Sequence, residues 1–237
     1  MNLPPLRFIF LGAFLLLTRS SVTAQVAAEP AAPAAPSAVA QTSKWEKEVA
    51  AYEAADRENP PAKGGIVFIG SSSIRLWKSL ARDFPDQPVL NRGFGGSQIA
   101  DATGLVDRLV VPHEPRLVVL YSGGNDLNAG KSAEQVFAAF KEFVATVQAR
   151  LPHTEIAYIS IAGNPARWKQ VEKVKAANAL IEEFTKQSPR LKFINVFPHM
   201  LGPDGLPKPE IFSSDQLHMN EDGYKLWTEI VRPFLAK

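Results

Sequence analysis

The stretch Gly64-Gly65-Ile66-Val67-Phe68-Ile69-Gly70-Ser71-Ser72-Ser73-Ile74 decides how the rest of the chain is read. Ile66 to Ile69 form a short apolar run rich in β-branched side chains, with glycines on both sides. An uninterrupted run of that kind is the pattern of a strand buried on both faces, as in the middle of a parallel sheet. At its carboxyl end the chain turns through Gly70 and three serines, then resumes as Ile74-Arg75-Leu76-Trp77. In open α/β sheets, chemistry sits in the crevice beyond the carboxyl ends of the strands. A serine on this turn is therefore a candidate nucleophile. Gly/Ser clusters after strands are also common as plain turns, and the stretch alone leaves both readings open.

Working outward, strand and helix patterns alternate. Towards the N-terminus, Lys44 to Asn59 has helical spacing, with Trp45, Val49 and Tyr52 on one side and Pro60-Pro61 as the stop. Towards the C-terminus, Gln87–Gly93 reads as a strand running into the turn Gly93-Phe94-Gly95-Gly96-Ser97. Ser97 is placed to cap a helix that buries Ile99, Ala102, Leu105, Val106, Leu109 and Val110. Arg116–Ser122 is a second buried strand and ends in Gly123-Gly124-Asn125-Asp126. Ser132–Leu151 is an amphipathic helix with Val136, Phe137, Phe140, Phe143, Val144 and Val147 inward. Glu155–Ile161, Arg167–Gln187, Leu191–Phe197 and Gly223–Leu235 continue as strand, helix, strand and helix. The alternation predicts an α/β fold: a three-layer α/β/α sandwich around a five-stranded parallel sheet. Right-handed crossovers make 2-1-3-4-5, the flavodoxin-like order, the economical one.

The N-terminal segment reads differently. Residues 1–24 carry one early positive charge at Arg7, an apolar run from Phe8 to Leu17, and small residues before Gln25, the pattern of a secretory signal peptide. The run is short for a bilayer span. Residues 25–43 are an Ala/Pro-rich linker. About 195 residues, 44–237, remain for one catalytic-sized domain. There is no cysteine. Export without disulfides fits secretion or a bacterial periplasm, with no stable membrane insertion once the signal is cleaved. The net charge of +2 is small and the basic residues are dispersed, which argues against a nucleic-acid groove or a basic membrane-binding helix.

The polar clusters Ser71–Ser73, Gly93–Ser97, Gly123–Asp126 and Asp215–His218 are each expected just after a strand. In a parallel sheet such loops converge on one edge. Serine chemistry needs a base, a group that holds the base, and donors for an oxyanion. Asp215 and His218, three apart, can point the same way from one helical turn and supply holder and base. The D-x-x-H pattern also arises as a helix cap or a metal pair, but no second ligand pair accompanies it, and neither metal nor cofactor is expected. His199 is the rival base; His113 and His153 lie at a helix end and in a turn. The Gly95-Gly96 turn exposes backbone N–H groups, and Asn125 offers an uncharged amide donor. Gly-Phe-Gly-Gly-Ser could by itself cradle a phosphate, but it lacks the dinucleotide and Walker spacings. Trp77, Phe94, Asn164 and Trp168 are candidate lining residues, with packing the commoner role for such side chains.

Taken in order, the four clusters resemble the motif blocks of the SGNH hydrolases, or GDSL-type esterases/lipases, from Gly64 to the C-terminus. Gly70-Ser71-Ser72 is similar to the first block and implies Ser72 as nucleophile. Asn91-Arg92-Gly93-Phe94-Gly95-Gly96 looks like the second, implying the Gly96 N–H as an oxyanion donor. Gly123-Gly124-Asn125-Asp126 looks like the third, implying Asn125 as a further donor beside the Ser72 N–H. Asp215-Gln216-Leu217-His218 looks like the last, implying Asp215 and His218 as triad partners. One position departs: Ser71 stands where the family usually has aspartate, and that aspartate is no triad member. The resemblance implies a serine esterase that forms an acyl-enzyme. Short loops without an apolar lid favour short acyl groups such as acetyl, on carbohydrate or lysophospholipid esters. Acyl transfer to a sugar hydroxyl, a catalytically inactive ligand-binding module, and a nucleotide- or flavin-binding protein of the same fold class are the competing readings.

Overall fold

A computed structural model describes Met1 and residues 44–236; the signal and linker predicted over 1–24 and 25–43 lie, Met1 apart, outside the described residues. The chain divides into two units, residues 1–41 and 42–237. In the second, five parallel strands run β1 (Ile66–Gly70), β2 (Val89–Gly93), β3 (Leu117–Tyr121), β4 (Glu155–Ile159) and β5 (Leu191–Ile194), in the spatial order 2-1-3-4-5. The predicted α/β/α architecture and strand order both hold. In register, Gly70 pairs with Gly93 on one side and Tyr121 on the other, so the three strand ends that carry the first three polar clusters are level.

β1 and β3 are buried along their whole length because both faces are covered. On one face Val67, Ile69, Val118, Leu120 and Tyr158 pack against α1 (Glu46–Glu58), α4 (Ile99–Gly104), α5 (Val106–Leu109), α7 (Ala133–Arg150) and α8 (Val171–Thr185). On the other, Ile66, Phe68, Val119, Ile159 and Ile194 pack against α2 (Ser72–Arg75), α3 (Leu80–Asp83) and α9 (Glu221–Leu235), with Trp77 and Trp227 at the centre. The short α6 (Gly124–Asn128) opens where β3 ends. Among the described residues no helix is long and apolar enough to cross a membrane.

Several local expectations change. The helix expected from Ser97 breaks into α4 and α5 at Leu105, although all six apolar residues assigned to its buried side are buried. Its cap is Gln98, whose side chain and that of Asp101 form a reciprocal box; the Ser97 hydroxyl donates instead to Phe94 O, 3.0 Å. On α7 the expected inward face is buried except Phe137, which is half-buried against Phe184. The helix expected from Arg167 begins as a 3-10 segment over Pro165–Gln170 before α8. Trp77 and Phe94, offered above as lining residues, are almost wholly buried, Trp77 in a cluster with Phe68, Phe84, Tyr224 and Trp227 and Phe94 against Trp45. The desolvation gain of a large aromatic outweighs anything it contributes at a rim.

Candidate functional site

β1 ends at Gly70, whose φ is +137° and whose ideal Cβ would fall 2.0 Å from Tyr121 O. Only glycine fits there, and the tight approach launches the chain directly into α2. Ser71 caps that helix in extended conformation, its N–H held by Tyr121 O at 3.0 Å. Ser72 is therefore the first helical residue, with an N–H that has no intrahelical acceptor. Its Oγ lies 2.8 Å from His218 Nε2, and His218 Nδ1 lies 2.6 Å from Asp215 Oδ2. Thus the structure brings together the three residues read from the sequence as nucleophile, base and holder. His113 is buried 3.5 Å from Asp56, and His153 and His199 are exposed. Neither Ser71 nor Ser73 is the serine that meets the imidazole.

The fourth cluster is not where it was expected. It follows no strand: an irregular segment with two short 3-10 turns separates it from β5. Nor is Asp215–His218 a turn of helix. It is a bend with Gln216 at φ +55°, closed by Ser213 N–H to His218 O at 2.7 Å and flanked by a Phe212–Met219 bridge. Asp215 Oδ1 accepts from the N–H groups of Leu217 and His218, both 3.0 Å, which leaves Oδ2 for the imidazole. The His218 N–H, then the imidazole, then the Leu217 N–H pull the Asp215 carboxyl down to about 2. It is a carboxylate at any working pH. Asn220 finishes the loop by capping α9 and donating to Glu210 O and Phe212 O.

The second and third clusters face Ser72 across a cleft of about 530 Å³ lined by Gly95, Gly96, Asn125 and His218. Gly96 sits at φ +71° with open space where a Cβ would be, so no side chain or neighbour crowds the backbone there. Trp45, the residue that caps α1, and Tyr52 on α1 pin the turn: Trp45 Nε1 donates to Gly95 O and Tyr52 Oη to Gly93 O, each 2.7 Å. Asn91 ties it to α2 by donating to Ile74 O, 2.6 Å. Asn125 donates one amide hydrogen to Ser97 O, 2.9 Å, and accepts from Arg167 Nη1, 3.0 Å. Because arginine can only donate, the Asn125 amide has one orientation, with its second hydrogen left for the cleft. Asp126 is wholly buried and joins the two clusters, accepting from Ile99 N–H at 3.2 Å and Lys131 at 2.9 Å. Burial holds its carboxyl above the ordinary value despite Lys131.

Arg167 and Arg75 carry no signal in the motif blocks and were not singled out from the sequence. Arg75 could have been, since it stands three residues after Ser72 on the same short helix. Arg167 could not: it reaches Asn125 from the loop after β4, where Asn164 Oδ1 caps its N–H and Ala166 N–H donates to Gln216 O beside the His218 loop. Of the expected lining residues Asn164 faces a small recess of about 30 Å³ behind Ser72, whereas Trp168 faces a separate one with Val171 and Val174.

The family model for the GDSL-like lipase/acylhydrolase family matches residues 70–226, well over half of the chain. No curated protein matches the sequence. Among solved structures, a GDSL-like lipase from Bacteroides thetaiotaomicron superposes with a TM-score of 0.67 at 18% identity, covering 79% of this chain and 96% of that one. A carbohydrate esterase family 3 protein from Talaromyces cellulolyticus gives 0.55 at 17%, with 72% and 95% covered. A mutant acetyl esterase with acetate ion gives 0.56 at 15%, with 72% and 95% covered. At these identities the likeness is one of fold, and it is the family match over the strand ends and loops described above that identifies the chain: it belongs to the GDSL-like lipase/acylhydrolase family, as a carboxylic ester hydrolase.

Proposed function

We propose that the protein is an exported serine esterase that removes short acyl groups, acetyl above all, through Ser72, His218 and Asp215. The observation that carries this reading is the continuous line of Asp215 Oδ2, the His218 ring and Ser72 Oγ, at 2.6 and 2.8 Å. Asp215, ionised and acceptor-only, holds the proton of His218 on Nδ1, so Nε2 is the acceptor facing the serine. His218 takes the hydroxyl proton as Ser72 Oγ bonds to the ester carbonyl carbon. The oxyanion that forms is received by the Ser72 and Gly96 N–H groups and the free amide hydrogen of Asn125. As the tetrahedral adduct collapses, the alkoxy bond breaks and the alcohol leaves with the proton from His218. Water then loses a proton to the same imidazole, attacks the acyl-Ser72 ester, and releases a carboxylic acid and free Ser72.

Acyl size follows from space. The recess of about 30 Å³ behind Ser72, bounded by Tyr121, Ile161 and Ala162, suits an acetyl group and not a fatty chain. The larger open cleft suits the alcohol portion of the ester, and its mixture of Trp45 and Leu217 with Lys44, Glu48 and Arg75 suits an acetylated carbohydrate. Export rests on the leader pattern of residues 1–24; secreted protein beginning at Gln25 by N-terminal sequencing would support it, and retention of Met1 would refute it. For catalysis, Ser72→Ala is expected to abolish hydrolysis of 4-nitrophenyl acetate while leaving the unfolding midpoint in place. A folded Ser72→Ala protein with wild-type turnover overturns the assignment.

A further inference from the structure

The cleft in front of Ser72 is unevenly charged. Lys44, Arg75 and Arg167 line it against one carboxylate, Glu48. Arg167 already gives a hydrogen bond to Asn125 and another to Gly124 O, yet among the described residues no carboxylate pairs with it. Arg75 is left less satisfied still. Its Nε is buried without a hydrogen-bond partner, and its ion pair with Glu48 Oε1, at 3.6 Å, is too long to be a hydrogen bond. The guanidinium lies against the Gly95 backbone: a Cβ there would be 3.1 Å from Nε and 3.3 Å from Nη2. The side chain is thus built into the wall of the cleft, while remaining 39% exposed. A buried donor without an acceptor costs stability, and a guanidinium held by its carboxylate only at ion-pair distance is a fork that a planar or tetrahedral anion can still take up at its terminal nitrogens.

We propose that the ester this site takes carries an anionic oxygen group, a carboxylate or a phosphate, on its alcohol portion, received by Arg75 with Arg167 and Lys44 around it. This rests on Ser72 being the nucleophile. Ser72 and Arg75 are three apart on α2 and so share a face, which sets the anion roughly one sugar ring from the acyl carbon. The anion belongs on the alcohol side because the acyl recess has no space for it, whereas the 530 Å³ cleft does. It meets the Arg75 guanidinium at its terminal nitrogens, in competition with the longer Glu48 ion pair.

The test compares kcat/KM on three esters acetylated at the same secondary hydroxyl: glucuronate, glucose 6-phosphate and glucose. Either anionic ester is expected to exceed the neutral one by roughly tenfold or more, as a charge-assisted fork contributes, and the better of the two names the group. The advantage should shrink in 0.5 M salt. Two variants move the anionic-to-neutral ratio in opposite directions: Arg75→Gln lowers it and Glu48→Gln, which removes the competing carboxylate, raises it. Equal rates on all three esters, or a ratio that neither salt nor Glu48→Gln changes, overturns the inference while the esterase reading stands. Silence towards these esters and towards 4-nitrophenyl acetate overturns the esterase reading, and the inference with it.

Discussion

Asn125→Asp separates donation from architecture at the proposed oxyanion site. In the wild type the Asn125 amide spends one hydrogen on Ser97 O, keeps one for the cleft, and receives Arg167 on its oxygen. Aspartate keeps the Arg167 contact and makes it a charge pair; the bond to a guanidinium is already charge-assisted, so the gain is about 1 kcal/mol. It loses the bond to Ser97 O, which costs a similar amount, so the unfolding midpoint should shift by only a few degrees. Catalysis has no such compensation. Losing one oxyanion donor costs about a hundredfold to a thousandfold in kcat. The new carboxylate also opposes the developing oxyanion, by up to about 4 kcal/mol for unit charges about 4 Å apart near a protein surface, reduced by Arg167. Asn125→Asp should therefore be slower than Asn125→Ala, although the alanine variant is the less stable of the two. Steady-state kinetics on 4-nitrophenyl acetate and a melting curve for each variant settle the order. If Asn125 only braces the loops, the order inverts and Asn125→Asp is the faster; that result, or a folded Asn125→Asp enzyme within tenfold of wild type, refutes the donor role.

Three further outcomes are open to measurement, two at the triad and one in the core. Because the Asp215 carboxyl is held down to about 2, its protonation adds no step to the pH–rate profile between about pH 4 and 9. The stability it contributes, small at an exposed site, is present above the carboxylate's ordinary pKa and is lost only as pH falls through about 2. Asp215→Asn should keep the backbone contacts of the bend but present an amide donor to Nδ1, forcing the proton to Nε2; kcat should fall on the order of ten-thousandfold with little change in melting. Away from the chemistry, Asn178 on α8 accepts from Ile161 N–H at 2.8 Å and donates to Ile161 O at 3.0 Å, all buried. Asn178→Leu strands both groups and should cost about 3 kcal/mol, read by calorimetry as a midpoint roughly 6–12 °C lower; a shift below about 2 °C would show that water or a backbone movement replaces the amide.

The sequence by itself determined the layers and most of the site. Ile66–Ile69 and Leu117–Leu120 are apolar on consecutive positions, which only a strand covered on both faces tolerates, and the helical periods between strands require parallel crossovers. That much places Gly70–Ser72, Gly93–Gly96 and Gly123–Asn125 at one edge, because the strands end level there. Tertiary structure decided what periodicity does not encode. His218 reaches Ser72 across 146 residues of chain through an irregular segment whose path is set by the Phe212–Met219 bridge and the Ala166–Gln216 contact, neither of which has a local signature. The same holds for Arg167 on Asn125 and for the guanidinium of Arg75 against Gly95. Hydrophobic pattern reports that a side chain is buried, so it found Trp77 and Phe94 without saying that they lie in the core and not at the rim. Polar contacts between distant loops depend on where each backbone is carried, and that is fixed only once the sheet and its helices have packed.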